Sequence, residues 1–176
     1  MTWIKKKRTS FVTSLRIWII FSILFSAWSC RYSFTGASIA PNIKTFSVEL
    51  FQNTAALVQP ALAPLFTENL RNRFMNQTNL KMKAGEADLQ FSGQITDYNV
   101  IPLTVQSDRA AQNRLTISVW VKFVNTIEPD KNWEQVFTNF ADFPATRSLS
   151  EVETSLNAEI TDKITQDIFN KALANW

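Results

Sequence analysis

Histidine is absent from all 176 residues. That removes the side chain whose ordinary pKa lies nearest neutrality, and with it Ser-His-Asp and Cys-His nucleophile systems and every imidazole metal site. Cysteine occurs once, as Cys30, so no second thiol is present for an intrachain disulfide. Glycine occurs three times, as Gly36, Gly85 and Gly93, and in no phosphate-cradling pattern. Of histidine, cysteine and a tuned carboxylate, the groups that matter most for catalysis at neutral pH, only the last is available, and the carboxylates are scattered through surface-like positions. A carboxylate-dependent envelope hydrolase is the enzymatic alternative, and the inventory points instead to a protein without catalytic residues, cofactor or metal.

What is present is most distinctive at the start. Lys5, Lys6, Lys7 and Arg8 form a basic cluster, residues 17–28 form an apolar run, and Ser29 and Cys30 follow. A cationic start, a short apolar core and a small residue before a cut is the layout of an export signal. The run spans only twelve residues and includes Ser22 and Ser26, whereas a spanning helix needs about 20 predominantly apolar residues. Because the lone cysteine falls where the signal ends, the pattern predicts a bacterial lipoprotein whose Cys30 thiol is acylated. Ala27 and Ser29 suit a lipobox and bulky Trp28 departs from it. A buried free thiol or an ordinary secretory signal is the alternative reading of the same residues.

Removing residues 1–29 changes the charge. The whole chain has 18 basic and 15 acidic residues, but five of the basic ones (Lys5, Lys6, Lys7, Arg8, Arg16) and no acidic ones precede Cys30. The remainder carries a net charge of −2, so the basic balance belongs to the targeting segment and nucleic acid is not an expected partner. The expected organisation is a signal peptide at 1–29, an acylated tether at 30–42 and one domain at 43–176.

Within that domain, Phe46, Val48 and Leu50 alternate with Thr45, Ser47 and Glu49, as in a half-buried strand. From Pro60 to about Thr78 the spacing turns helical, with Leu62, Leu65, Phe66, Leu70 and Phe74 on one stripe and Pro60 and Pro64 at its start. A short, weak strand at 80–83 precedes Leu89, Phe91, Gly93 and Ile95, which alternate with polar residues in a strand that continues past Tyr98 to about Val105. Residues 107–113 read as a hairpin tip. On the return strand Leu115, Ile117, Val119, Val121 and Phe123 face inward, while Arg114, Thr116, Ser118, Trp120 and Lys122 face outward. A turn at 128–132 leads to a strand at 133–143 whose aromatics, Trp133, Phe137, Phe140 and Phe143, break parity, so a bulge or two buried faces is expected. Ser150 and Glu153 form a capping box, with Leu149 as staple, for a last helix carrying Val152, Leu156, Ile160, Ile164, Ile168 and Ala172 every fourth residue. The expected fold is α+β: two helices packed on one face of a mainly antiparallel, about four-stranded sheet.

One surface stands out. Trp120 lies between Arg114 and Lys122 on the outward face, with Arg109 at the hairpin tip and Lys131 in the following turn. Cations beside an indole suit a phosphate-bearing amphiphile. A solvated sheet face whose tryptophan is shielded by Lys and Arg stems gives the same pattern.

The segment Cys30-Arg31-Tyr32-Ser33-Phe34-Thr35-Gly36 resembles the mature start of LptE lipoproteins, with Arg31 in place of the usual small residue. The resemblance continues through residues 60–70, 87–95 and 114–119, and is to the form found in the Bacteroidetes group. It implies a non-enzymatic lipoprotein at the periplasmic face of the outer membrane, held by N-terminal acyl chains. Such a protein plugs the LptD β-barrel, helps it assemble and contacts lipopolysaccharide on its way to the outer leaflet. The family's lipid contacts are basic, which makes Arg109, Arg114, Lys122 and Lys131 the candidate lipopolysaccharide-binding residues, with Trp120 beside them and Cys30 as the lipidation site. No aspartate follows Cys30, which by analogy with lipoprotein sorting favours the outer membrane. A structural outer-membrane lipoprotein without a lipopolysaccharide role is the alternative.

Overall fold

The computed structural model describes residues 39–103 and 111–173. The expected signal segment, Cys30, most of the expected tether, Arg109 and Trp176 lie outside the described residues.

Two helices pack against a mixed, mainly antiparallel sheet. The elements run β1 (Thr45–Val48), β2 (Gln52–Asn53), α1 (Leu62–Gln77), β3 (Lys81–Met82), β4 (Leu89–Leu103), β5 (Gln112–Asn125), β6 (Trp133–Pro144) and α2 (Leu149–Leu173). Strand order is β3-β1-β4-β5-β6, with β2 also on β4. β4, β5 and β6 form an antiparallel meander, while β1 and β2 lie parallel to β4 and β3 lies parallel to β1. The α+β architecture is the expected one, but the sheet has six strands where about four were expected. β2 and β3 are two residues each: β3 is the short strand expected at 80–83, and β2 is too short to leave an alternating pattern in sequence.

The register of β1 on β4 is set by Asp88. Its Oδ2 accepts the N–H of Lys44 at 2.8 Å and of Thr45 at 2.9 Å, and its own N–H is donated to the Thr45 hydroxyl at 3.0 Å. The Lys44 and Thr45 backbone bonds, the largest cause, hold the Asp88 carboxyl below its usual pKa.

Between β1 and β2 the expected alternation fails. Val48 pairs with Phe91 and Gln52 with Gln94, so four residues advance on one side against three on the other. The extra residue reverses parity: Leu50, expected inside, is 65 % exposed, and Phe51 takes the inward position. Thr67 on α1 meets the N–H freed there, its hydroxyl accepting from Phe51 at 3.1 Å while donating to the Ala63 carbonyl at 2.8 Å. The Phe51 ring lies over Gly93, where a Cβ would stand 2.6 Å from the ring and 2.2 Å from the Trp120 carbonyl oxygen. Only glycine fits between them. A second irregularity, between Ile95 and Asp97, flips β4 so that Tyr98 rather than Asp97 follows Ile95 inward.

The stripes of both helices meet the inward face of the sheet. Leu62, Phe66, Leu70 and Phe74 of α1 are buried, with Leu65 half-buried, as are Val152, Leu156, Ile160, Ile164, Ile168 and Phe169 of α2. Phe74 joins them, with its ring centroid 5.4 Å from Phe46, 4.7 Å from Phe91 and 5.1 Å from Phe169. From Phe91 the chain of rings continues across the sheet through Phe123 and Trp133 to Phe137. Arg73 ties the helices on their polar side, bonding the Thr165 hydroxyl, the Gln166 side chain and both the carbonyl and the carboxylate of Asp162.

The helix start differs from the expected capping box. α2 begins at Leu149, and it is Glu151 that reaches back, accepting the Ser148 N–H at 3.0 Å. Glu153 is used otherwise: it accepts the Tyr98 hydroxyl at 2.7 Å, tying α2 to β4.

Two outcomes follow. Gly93→Ala should destabilise the domain by about 3 kcal/mol in urea unfolding, because a backbone oxygen cannot move aside cheaply. Burial, then the bond to Glu153, raises the Tyr98 phenol above its ordinary value of 10.0. An unfolded phenol ionises at the lower value, so this contribution is complete below pH 10 and is lost as pH rises further. Tyr98→Phe should cost about 1 kcal/mol at neutral pH and flatten the loss of stability above pH 10, measured by denaturant midpoints across pH.

Candidate functional site on the open face of the sheet

The sheet face turned away from the helices is built from the even-numbered residues of β5 and β6. Strict β5–β6 register places Lys122 opposite Glu134, Trp120 opposite Val136, Ser118 opposite Thr138, Thr116 opposite Phe140 and Arg114 opposite Asp142. No bulge interrupts β6. Trp133, Phe137 and Phe143 share the inward face with Ala141, and Phe140 alone stands outward at 43 % exposure. The parity conflict expected from sequence is therefore resolved as one aromatic on the open face.

Each described cation of the expected patch has a carboxylate partner. Arg114 makes a bidentate pair with Asp142, Nε to Oδ1 at 2.7 Å and Nη2 to Oδ2 at 2.9 Å. Its guanidinium carbon also sits 3.6 Å from the Phe140 ring centroid. Bonding to Arg114 is the largest cause holding the Asp142 carboxyl below its usual value. Lys122 pairs with Glu134 at 3.2 Å, and Lys131, in the 3-10 turn Pro129–Lys131, pairs with Glu128 at 3.1 Å. Trp120 is half-buried and neighbours Lys122, but Arg114 lies six residues along the strand, roughly 20 Å away. The structure thus brings Trp120 and Lys122 together and gives Arg114 a different aromatic, Phe140. The middle of the face is uncharged: Trp120, Val136 and Phe140 flank a Ser118–Thr138 hydroxyl contact of 2.9 Å.

Sequence reasoning missed Glu134, Asp142, Val136 and Phe140. The signal available was the odd parity of Phe140, which places the even residues of β6 on the same face as Arg114. Among the described residues no cluster of three or more potential metal ligands occurs, and no helix is long and apolar enough to cross a membrane.

The lipopolysaccharide-assembly family LptE matches residues 43–172. The chain belongs to the LptE family. That span runs from just before β1 to the last turn of α2, so the match covers the whole sheet and both helices of this non-enzymatic family. A minor lipoprotein of Acinetobacter baumannii has a similar fold, at TM-score 0.51 and 14 % identity over 76 % of this chain and 94 % of that one. A protein of Xanthomonas campestris is similar at TM-score 0.51 and 12 % identity over 76 % of this chain and 87 % of that one. At these identities the likeness concerns the fold. No curated protein matches the chain by sequence.

The neutralised cations give a direct test. Asp142→Asn with Glu134→Gln should release the charges of Arg114 and Lys122, raising binding to phosphatidylglycerol vesicles about fivefold or more in a sedimentation assay at low salt. The gain should vanish at high ionic strength.

Proposed function

We propose that this LptE-family chain is an outer-membrane lipoprotein of the Bacteroidetes form, cut before Cys30 and acylated there. Its domain plugs an LptD-like β-barrel from the periplasmic side, supports the barrel's assembly and assists the passage of lipopolysaccharide to the outer leaflet. The observation that carries this reading is the family match across residues 43–172, joined to a signal ending at the chain's only cysteine. Two or more acyl chains at Cys30 would hold the protein stably at the membrane, where a single chain binds only marginally.

The open sheet face is the surface assigned to lipopolysaccharide. Trp120 offers an apolar plane, and Lys122 and Arg114 offer cations that can exchange their carboxylate partners for phosphate oxygens. Lys131, in the turn after β5, and Arg109 are assigned to the same contact. In this reading Glu134 and Asp142 hold the cations in place until the ligand arrives, which keeps the empty face neutral.

The experiment is a detergent pull-down of the acylated full chain from its own outer membrane. A large β-barrel recovered at one copy per copy, lost when Cys30→Ala prevents anchoring, is the expected result. Recovery of the acylated protein without a barrel would leave a structural lipoprotein and reject the plug.

A further inference from the structure

The two edges of the sheet are treated differently. One is broken into pieces: β3 and β2 contribute two residues each, and β1 four. The other is β6, twelve residues long and paired to β5 at every position with no shift of register. Long regular edges are the ones that accept another strand.

Which β6 groups point outward is fixed by two hydrogen bonds. The Phe140 N–H is donated to the Asn139 side-chain oxygen at 2.9 Å, and the Phe140 carbonyl accepts from Lys163 Nζ at 3.3 Å. Both groups therefore face away from β5. Beyond the strand end, Ala145 donates its N–H to the Ala111 carbonyl, so the odd residues face β5. Backbone direction alternates along an antiparallel strand, so Glu134, Val136 and Thr138 also direct N–H and C=O groups outward. Phe140 is closed by its own neighbours, and among the described residues nothing closes Glu134, Val136 or Thr138.

We propose that residues 134–138 of β6 accept an extended segment of the barrel partner as an added strand, with Asn139 and Lys163 ending the ladder at Phe140. This rests on the plug reading above and names its contact. Three outward donors and three outward acceptors match the backbone of an extended segment. Val136, 51 % exposed, calls for an apolar residue opposite it. Glu134 disfavours an acidic one. A second copy of this chain is the weaker fit. A five-residue ladder falls well short of the roughly 1,200 Å² that a stable free dimer buries. The same ladder adds usefully to an assembly already held together by an anchor and a barrel, where the partner's effective concentration is high.

The test is photo-crosslinking in the intact membrane complex, with benzoylphenylalanine placed in turn at positions 134, 136 and 138. The expected result is a ladder in which each two-residue step on β6 moves the crosslink two residues along one barrel segment. Asn139→Ala with Lys163→Ala should extend that ladder to position 140. Val136→Pro deletes one outward donor without removing a β5–β6 hydrogen bond and should abolish the ladder while far-UV circular dichroism stays unchanged. If that variant does not fold, the wild-type ladder alone decides. Crosslinks lacking the two-residue step, or none, would overturn the inference, as would a ladder onto a second copy of this chain. A regular ladder onto a protein other than a barrel would keep strand addition and reject the plug reading.

Discussion

Phe74 is the contact on which the remainder of the architecture turns. It stands on the last turns of α1 and reaches β1 through Phe46, β4 through Phe91 and α2 through Phe169, all within ring-packing distance. Four elements separated by up to 123 residues in sequence thus share one buried ring. From it the aromatic chain through Phe91, Phe123 and Trp133 crosses the meander strand by strand. Tilted aromatic pairs at these separations add to the burial energy of each ring and restrict how the layers slide. The helix-facing side is therefore fixed, and among the described residues no helix covers the other side.

That division explains why irregularities collect on one edge of the sheet. The extra residue between β1 and β2 turns Leu50 out and Phe51 in, and Thr67 on the neighbouring helix satisfies the displaced amide. Gly93 has no side chain because Phe51 and the Trp120 carbonyl occupy its space. The opposite edge needs no such accommodation, since α2 lies over the inward side of β6 and spares its backbone, apart from Lys163 at Phe140. A regular edge and an uncharged strip beside Trp120, Val136 and Phe140 are thus products of the same packing.

Much of this was legible in the sequence. The inward residues of β5, the stripes of both helices and the outward position of Arg114, Trp120 and Lys122 follow from period alone, because each element buries a single face. The capping residues of α2 were misplaced by two positions, since Ser148 with Glu151 and Ser150 with Glu153 present the same local pattern. What separates them is Tyr98, which takes Glu153 from a strand 55 residues away. The switch from Leu50 to Phe51 was hidden for a related reason: a bulge is set by the partner strand's register, which no local window contains.

The candidate surface divides in the same way. By itself the sequence determined the family, the element types, the absence of histidine chemistry, and the one-sided distribution of cations on β5. It could not show that Arg114 is held by Asp142 and stacked on Phe140, or that Lys122 meets Glu134. Those pairings depend on how β5 and β6 are aligned, and a shift of one residue would have sent every β6 side chain to the other face. Only the tertiary structure chose that alignment, because burying Phe137, Ala141 and Phe143 against the helices leaves Glu134, Phe140 and Asp142 no side but the open one.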